Sequence, residues 1–167
     1  MAELSGEESE EDRKAQEAYE EALRRIRNAR LPRFRSDFFD LVGFGLQTIP
    51  PEIGKLTWLK ILHLEENFLQ RLPPEIGQLS KLKELYLHKN DLQQLPTEIG
   101  QLTDLERLYL SENALQQLPI EIGELSKLTH LFVQANSLQN LPFEIAQLPA
   151  LRYFYVQNNP RLNLPFG

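Results

Sequence analysis

The chain has 167 residues, 41% hydrophobic and 25% charged, which suits one folded domain with a sizeable core and excludes a wholly disordered polymer. A formal net charge of -6 argues against nucleic acid or anionic lipid as partners of the chain as a whole. With no cysteine there is no disulfide framework and no thiolate-bound metal; this fits a reducing compartment, and a cytoplasmic location is expected.

Residues 1–12 carry six acidic side chains and no basic one; residues 1–8 are expected to be a disordered acidic tail. They lack the apolar stretch of a secretory signal, no lipidation signal is visible, and no segment has the length of a membrane span. Residues 9–35 are expected to form a capping helix and linker. Ser9 can cap a helix over 9–29, with Asp12 three positions on. Ala15, Ala18, Tyr19, Ala22, Leu23 and Ile26 make its apolar stripe, which would close the core beside Phe38, Phe39 and Leu41. Arg24, Arg25, Arg27, Arg30, Arg33 and Arg35 follow on its far side. A solvated basic face outweighs a membrane or RNA contact as their reading.

From residue 36 the chain repeats with a period of 23. Leu59, Leu82, Leu105, Leu128 and Leu151 open successive units of the form L-x-x-L-x-L-x-x-N-x-L-x-x-L-P-x-E-I-G-x-L. The asparagines are Asn67, Asn90, Asn113, Asn136 and Asn159; the prolines are Pro73, Pro96, Pro119, Pro142 and Pro165. The expected domain is 36–167, with a divergent unit at 36–58, then 59–81, 82–104, 105–127, 128–150 and a partial unit at 151–167. In the divergent unit Phe44 replaces the asparagine, and in the last Arg161 replaces a leucine.

Each L-x-L alternates with period two, as a strand with one buried face does. Leu85 and Leu87 should point inward; Glu84, Tyr86 and His88 should point outward. Asparagine carries donors and an acceptor that can satisfy backbone groups of adjacent coils at the turn. The P-x-E-I-G-x-L segment reads as a short helical turn. Proline would stand at its first position and glycine at its stop, with Ile76 and Leu79 facing the core. Strand and short helix in register stack into a parallel sheet with right-handed crossovers.

This motif resembles the leucine-rich-repeat superfamily over residues 36–165, and its 23-residue unit looks most like the intracellular Ras-suppressor-like and plant Ras-group types, also found in bacterial repeat proteins. The resemblance implies an α/β fold: a right-handed solenoid with a concave parallel β-sheet, short helical or 3-10 turns on the convex side, and an N-terminal α-helical cap. It implies protein–protein binding, with small GTPases or kinases among the family's partners. It does not imply an enzyme.

Outward strand positions form columns. One reads Asp40, His63, Tyr86, Tyr109, Phe132, Tyr155; the one before it Phe38, Ile61, Glu84, Arg107, His130, Tyr153; the one after it Val42, Glu65, His88, Ser111, Gln134, Gln157. With strands roughly 4.8 Å apart, the rings of the first column could stack into a stripe about 20 Å long. The expected partner-binding residues are His63, Glu65, Glu84, Tyr86, His88, Arg107, Tyr109, His130, Phe132, Tyr153 and Tyr155. The rival reading is a ladder that only stiffens the sheet. Glu65, Glu66, Glu84 and Glu112 bias the N-terminal half toward basic partner groups.

A divalent metal at His63, His88, Glu65 and Glu84 is outweighed by a Glu65–His88 pair on a solvated face. No nucleophile–base pair and no phosphate loop is present. No cofactor, metal, nucleic acid or membrane is therefore expected. The leading function is a non-catalytic scaffold or adaptor module; the alternative is a regulatory subunit acting on a separately encoded GTPase or kinase. Trp58 either packs on the cap or anchors a partner. At the other end Phe154, Val156 and Leu164 would be thinly covered. There the tail folds over, the chain is truncated, or a second copy docks, so a monomer or a weak end-to-end dimer is expected.

Overall fold

A computed structural model describes residues 9–163. The acidic tail expected at 1–8, and Leu164 and Pro165 of the last unit, lie outside the described residues. Helix α1 (Glu10–Ala29) leads through a 3-10 turn (Pro32–Phe34) into six strands: β1 (Phe38–Asp40), β2 (Ile61–His63), β3 (Glu84–Tyr86), β4 (Arg107–Tyr109), β5 (His130–Phe132) and β6 (Tyr153–Tyr155). They form one parallel sheet in sequence order. Each crossover is a 3-10 helix: Pro51–Lys55, Pro74–Gln78, Thr97–Gln101, Ile120–Glu124 and Phe143–Gln147. The chain is a leucine-rich-repeat solenoid.

The register follows from the repeat. Glu84, Leu85 and Tyr86 pair with Arg107, Leu108 and Tyr109, each 23 residues on. Leucines at the central strand position turn inward, and the flanking residues turn out. In the coil from residue 82, Leu82, Leu85, Leu87, Leu92, Leu95, Ile99 and Leu102 are all buried, and they join the leucines of neighbouring coils in one core. Each such side chain contributes about 1.5–3 kcal/mol by leaving water. No single coil could bury its own set; stacking does it.

The asparagines lock coil to coil. Asn90 Oδ1 accepts from the Leu69 amide (3.0 Å), while its Nδ2 donates to Leu64 O (3.0 Å) and Leu87 O (3.1 Å). Asn67, Asn113, Asn136 and Asn159 repeat this pattern one coil apart. The residue before each asparagine takes a left-handed conformation: φ is 60° at Glu66, 55° at Lys89, 54° at Glu112 and at Ala135, and 57° at Asn158. The equivalent Gly43 (φ 66°) meets the same demand without a Cβ.

Two local expectations are corrected. The repeat proline sits at the cap preceding each 3-10 helix, not at its first residue; Pro73 precedes Pro74. The repeat glycine is the fourth helical residue rather than the stop. A Cβ on Gly77 would lie 2.7 Å from Glu98 O, and one on Gly100 2.7 Å from Glu121 O. Glycine is required because the next coil approaches that closely.

Helix α1 closes the N-terminal end of the core. Ser9 and Asp12 form a reciprocal capping box, Asp12 N donating to Ser9 Oγ at 3.1 Å and Ser9 N to Asp12 Oδ2 at 3.3 Å. Ala22, Leu23 and Ile26 are buried; Ala18 and Ala29 pack at the margin. Phe38, expected beside that core, instead lies exposed on the open face of the sheet, because its strand position points outward. Trp58 packs at the capped end: its Nε1 donates to Ser36 O (3.1 Å), and Arg35 covers its ring at 4.3 Å. Arg24 and Arg25 both pair with Glu21 (2.7 and 3.1 Å), whose carboxyl they hold down at about 2.

At the far end Phe154 and Val156 are half-buried, whereas Leu131 and Val133 above them are fully buried. With Arg161 exposed in the leucine slot, Leu162 packs on the core instead. Its neighbour Asn163, one residue out of register, donates to Gln139 O (3.1 Å).

Candidate functional site

Strands β2 to β6 carry nine of the eleven expected residues on the open face of the sheet, and Glu65 and His88 stand two residues past β2 and β3, beside His63 and Tyr86. The central column is a continuous stack. Ring centroids are 4.1 Å apart for His63–Tyr86, 4.4 Å for Tyr86–Tyr109, 4.7 Å for Tyr109–Phe132 and 4.9 Å for Phe132–Tyr155, with planes tilted by 6–8°. Phe38 extends the stack toward α1, tilted against His63 at 5.1 Å. In the preceding column His130 stacks on Tyr153 at 4.4 Å. Parallel pairing at about 4.8 Å, with each ring at the same register position of its strand, dictates these separations. The rings stay half-exposed, and Tyr155 is 40% exposed.

Polar groups hold the edges of the stack. Glu84 accepts from the Tyr86 hydroxyl (2.7 Å) and from the Arg107 guanidinium, so a cation on one strand and a phenol on its own strand share one carboxylate. Burial, together with that carboxylate, holds the Tyr86 phenol well above its ordinary range. Glu65 accepts from His63 Nδ1 at 2.7 Å. The Glu65–His88 pair expected from the sequence is not formed. His63 is two residues from Glu65 on the same face of its own strand, and it takes that carboxylate. Glu65 Oε2 and Gln134 Oε1 are buried and have no hydrogen-bond partner. Thr129, which the column reading passed over, contacts His130 Nδ1 through its hydroxyl (2.8 Å) while donating to Glu106 O (2.8 Å), and so fixes the ring. Its place one residue before the strand made it invisible to a period-two pattern.

Among the described residues no group of three or more His, Asp or Glu side chains is arranged to hold a metal ion. Among the same residues no helix is long and apolar enough to cross a membrane.

A short parallel sheet, 3-10 crossovers and a buried asparagine ladder define a leucine-rich-repeat protein with one broad open face. The family described as "Leucine-rich repeat region" matches residues 16–114, and the family described as "Leucine rich repeat" matches residues 103–160. The chain belongs to the leucine-rich-repeat family. Among solved structures it is similar to a leucine-rich-repeat protein of Leptospira interrogans. The two share 38% identity at a TM-score of 0.59, over 77% of this chain and 38% of that one. It is also similar to YopM from Yersinia enterocolitica, with 31% identity and a TM-score of 0.63 over 82% of this chain and 27% of that one. The chain thus spans well under half the length of either. No curated protein matches it.

Proposed function

We propose that the chain is a non-catalytic protein-binding module, a scaffold or adaptor acting in the cytoplasm, whose partner lies across the ring stack of the concave face. The carrying observation is the unbroken, half-exposed series from His63 to Tyr155. The leucine-rich repeat does not require rings there; it requires leucine at the inward positions and leaves the outward ones free. Tyrosine and arginine offer rigid contact area with polar tips, the chemistry common at binding hot spots. The buried Glu65 Oε2 lacks a donor, and with Glu84 and Glu112 it favours basic partner groups at the N-terminal half. The chain's own absence of cysteine supports the reducing compartment.

Replacing Tyr86, Tyr109 and Tyr155 together by alanine is expected to abolish capture of the partner in a pull-down while leaving the far-ultraviolet circular dichroism unchanged. Undiminished capture defeats the proposal, and a collapse of the fold favours the stiffening role. The regulatory alternative rests on the resemblance alone; a captured nucleotide hydrolase or kinase whose rate changes on binding would favour it.

A further inference from the structure

We propose that a second surface, the groove between α1 and the turns of the first two coils, captures a basic peptide segment carrying an apolar anchor. This site is independent of the ring stack. Two departures from the repeat converge on it. Phe44 takes the slot that holds asparagine in the units that follow, and Phe68 takes a slot held by Asp91, Ala114 and Ser137. Phe68 is 59% exposed, which nothing in the packing of its coil demands. With Ala15 and Ala18 from α1, these rings floor a groove of about 850 Å³.

The rim is acidic. Glu11, Glu17 and Asp91 line the groove and make no side-chain hydrogen bond or ion pair among the described residues, whereas its cations are held: Lys14 by Glu10 at 2.6 Å, and Arg25, which lies over the Phe44 ring at 4.5 Å, by the lining residue Glu21 at 3.1 Å. An apolar floor beside three unpaired carboxylates fits an apolar side chain flanked by Lys or Arg. Gln70 also lines a neighbouring trough of about 420 Å³, whose wall is the amides Gln93, Gln94, Gln116, Gln117, Gln139 and Asn140 with one cation, Arg71, at the end nearest the groove. These amides make no side-chain hydrogen bonds among the described residues, and they recur with each coil. Each offers donors and an acceptor, matching those of an extended backbone. The anchor would seat at Phe68 and the following residues would run along the amides.

The chain's own residues 1–8 are acidic and would be repelled. The segment from Arg30 to Phe34 has the right composition, but in a second copy it is folded into a 3-10 turn with Arg33 over Phe34 at 4.8 Å. It cannot extend along the trough.

Random peptides displayed on phage are selected on the full chain, and the enriched sequences are measured by fluorescence polarisation. Lys or Arg beside an apolar residue is expected to be enriched. Dissociation constants should rise about tenfold or more in Phe68→Ala and in the double variant Glu17→Lys/Asp91→Lys, and should rise with salt. Tyr109→Ala should leave them unchanged, which separates this site from the concave face. Circular dichroism establishes that the surface variants are folded. The proposal is overturned if no peptide is enriched, if the enriched peptides lack basic residues, if Phe68→Ala binds them as well as the parent, or if Tyr109→Ala abolishes binding. It is likewise overturned if light scattering finds a dimer that Phe34→Ala dissolves, since a second copy then fills the groove.

Discussion

Truncating one asparagine should unzip two neighbouring coils, and Asn90→Ala tests the size of that effect. Asn90 is 7% exposed, and its side chain makes three bonds to backbone groups. The three are not equal. Leu64 O also accepts from Asn67, and Leu87 O also accepts from Asn113, so each carbonyl keeps a donor. The Leu69 amide has no second acceptor in the turn. Orphaning one buried amide costs roughly 1–3 kcal/mol, and losing a bond at each doubly served carbonyl adds roughly 0.5–1.5 kcal/mol. The expected loss is about 2–6 kcal/mol, a large fraction of a typical total stability of roughly 5–15 kcal/mol. Urea unfolding by circular dichroism measures the sum. Amide hydrogen exchange at Leu69 measures the local part, where protection should fall more than at Leu85. A loss below about 1 kcal/mol, or unchanged protection at Leu69, would refute the bookkeeping of the ladder.

Gly77→Ala should destabilise by about 1–3 kcal/mol in the same urea assay, because its Cβ would stand 2.7 Å from Glu98 O. Gly45→Ala, with nothing within 4 Å, should cost only the strain of its φ of 76°, roughly 1 kcal/mol. Equal losses at the two sites would remove the packing explanation. Acid should weaken the fold through carboxylates held low by cations: Glu21 by Arg24 and Arg25, Glu66 by Lys89, Asp104 by Lys127. Each folded value lies below the unfolded one, so the stabilisation is present above about pH 4.5 and disappears as pH falls toward about 2, where Glu21 titrates. Melting temperatures followed from pH 6 to 2 should show the decline, and high salt should flatten it. A melting temperature independent of pH across that window would contradict the assignment.

The strands and their columns were legible because a fixed period turns sequence distance into spatial adjacency. Once Tyr86 and Tyr109 stand 23 apart in equal slots, a parallel sheet must place them side by side. Ser9, Asp12 and the α1 stripe were legible because capping and amphipathicity are local. The glycine role was not. Whether Gly77 ends a helix or admits a neighbouring carbonyl depends on the distance to Glu98, which no single unit reveals. The partner of Glu65 was misassigned for a similar reason, since two histidines stand in adjacent slots and only the rotamers decide between them. The groove at Phe68 escaped because turn slots carry no hydrophobic rhythm. Reading that column downward, as Phe68, Asp91, Ala114 and Ser137, was the available signal.

Each asparagine serves the backbone of the coil before it, never the coil after: Asn90 reaches back to Leu64 and Leu69, and Asn113 to Leu87 and Leu92. The stack therefore has a polarity, like tiles overlapped in one direction. Shedding a coil from the C-terminal side strips its predecessor of the asparagine's donor and acceptor on top of the sheet bonds, while peeling one from the N-terminal side costs its successor's backbone only backbone–backbone bonds, such as those of the Glu84 amide to Lys60 O and the Asp91 amide to Leu69 O. Fraying should travel toward α1, and an added coil can be accepted wherever it brings its own asparagine to clasp the one beneath.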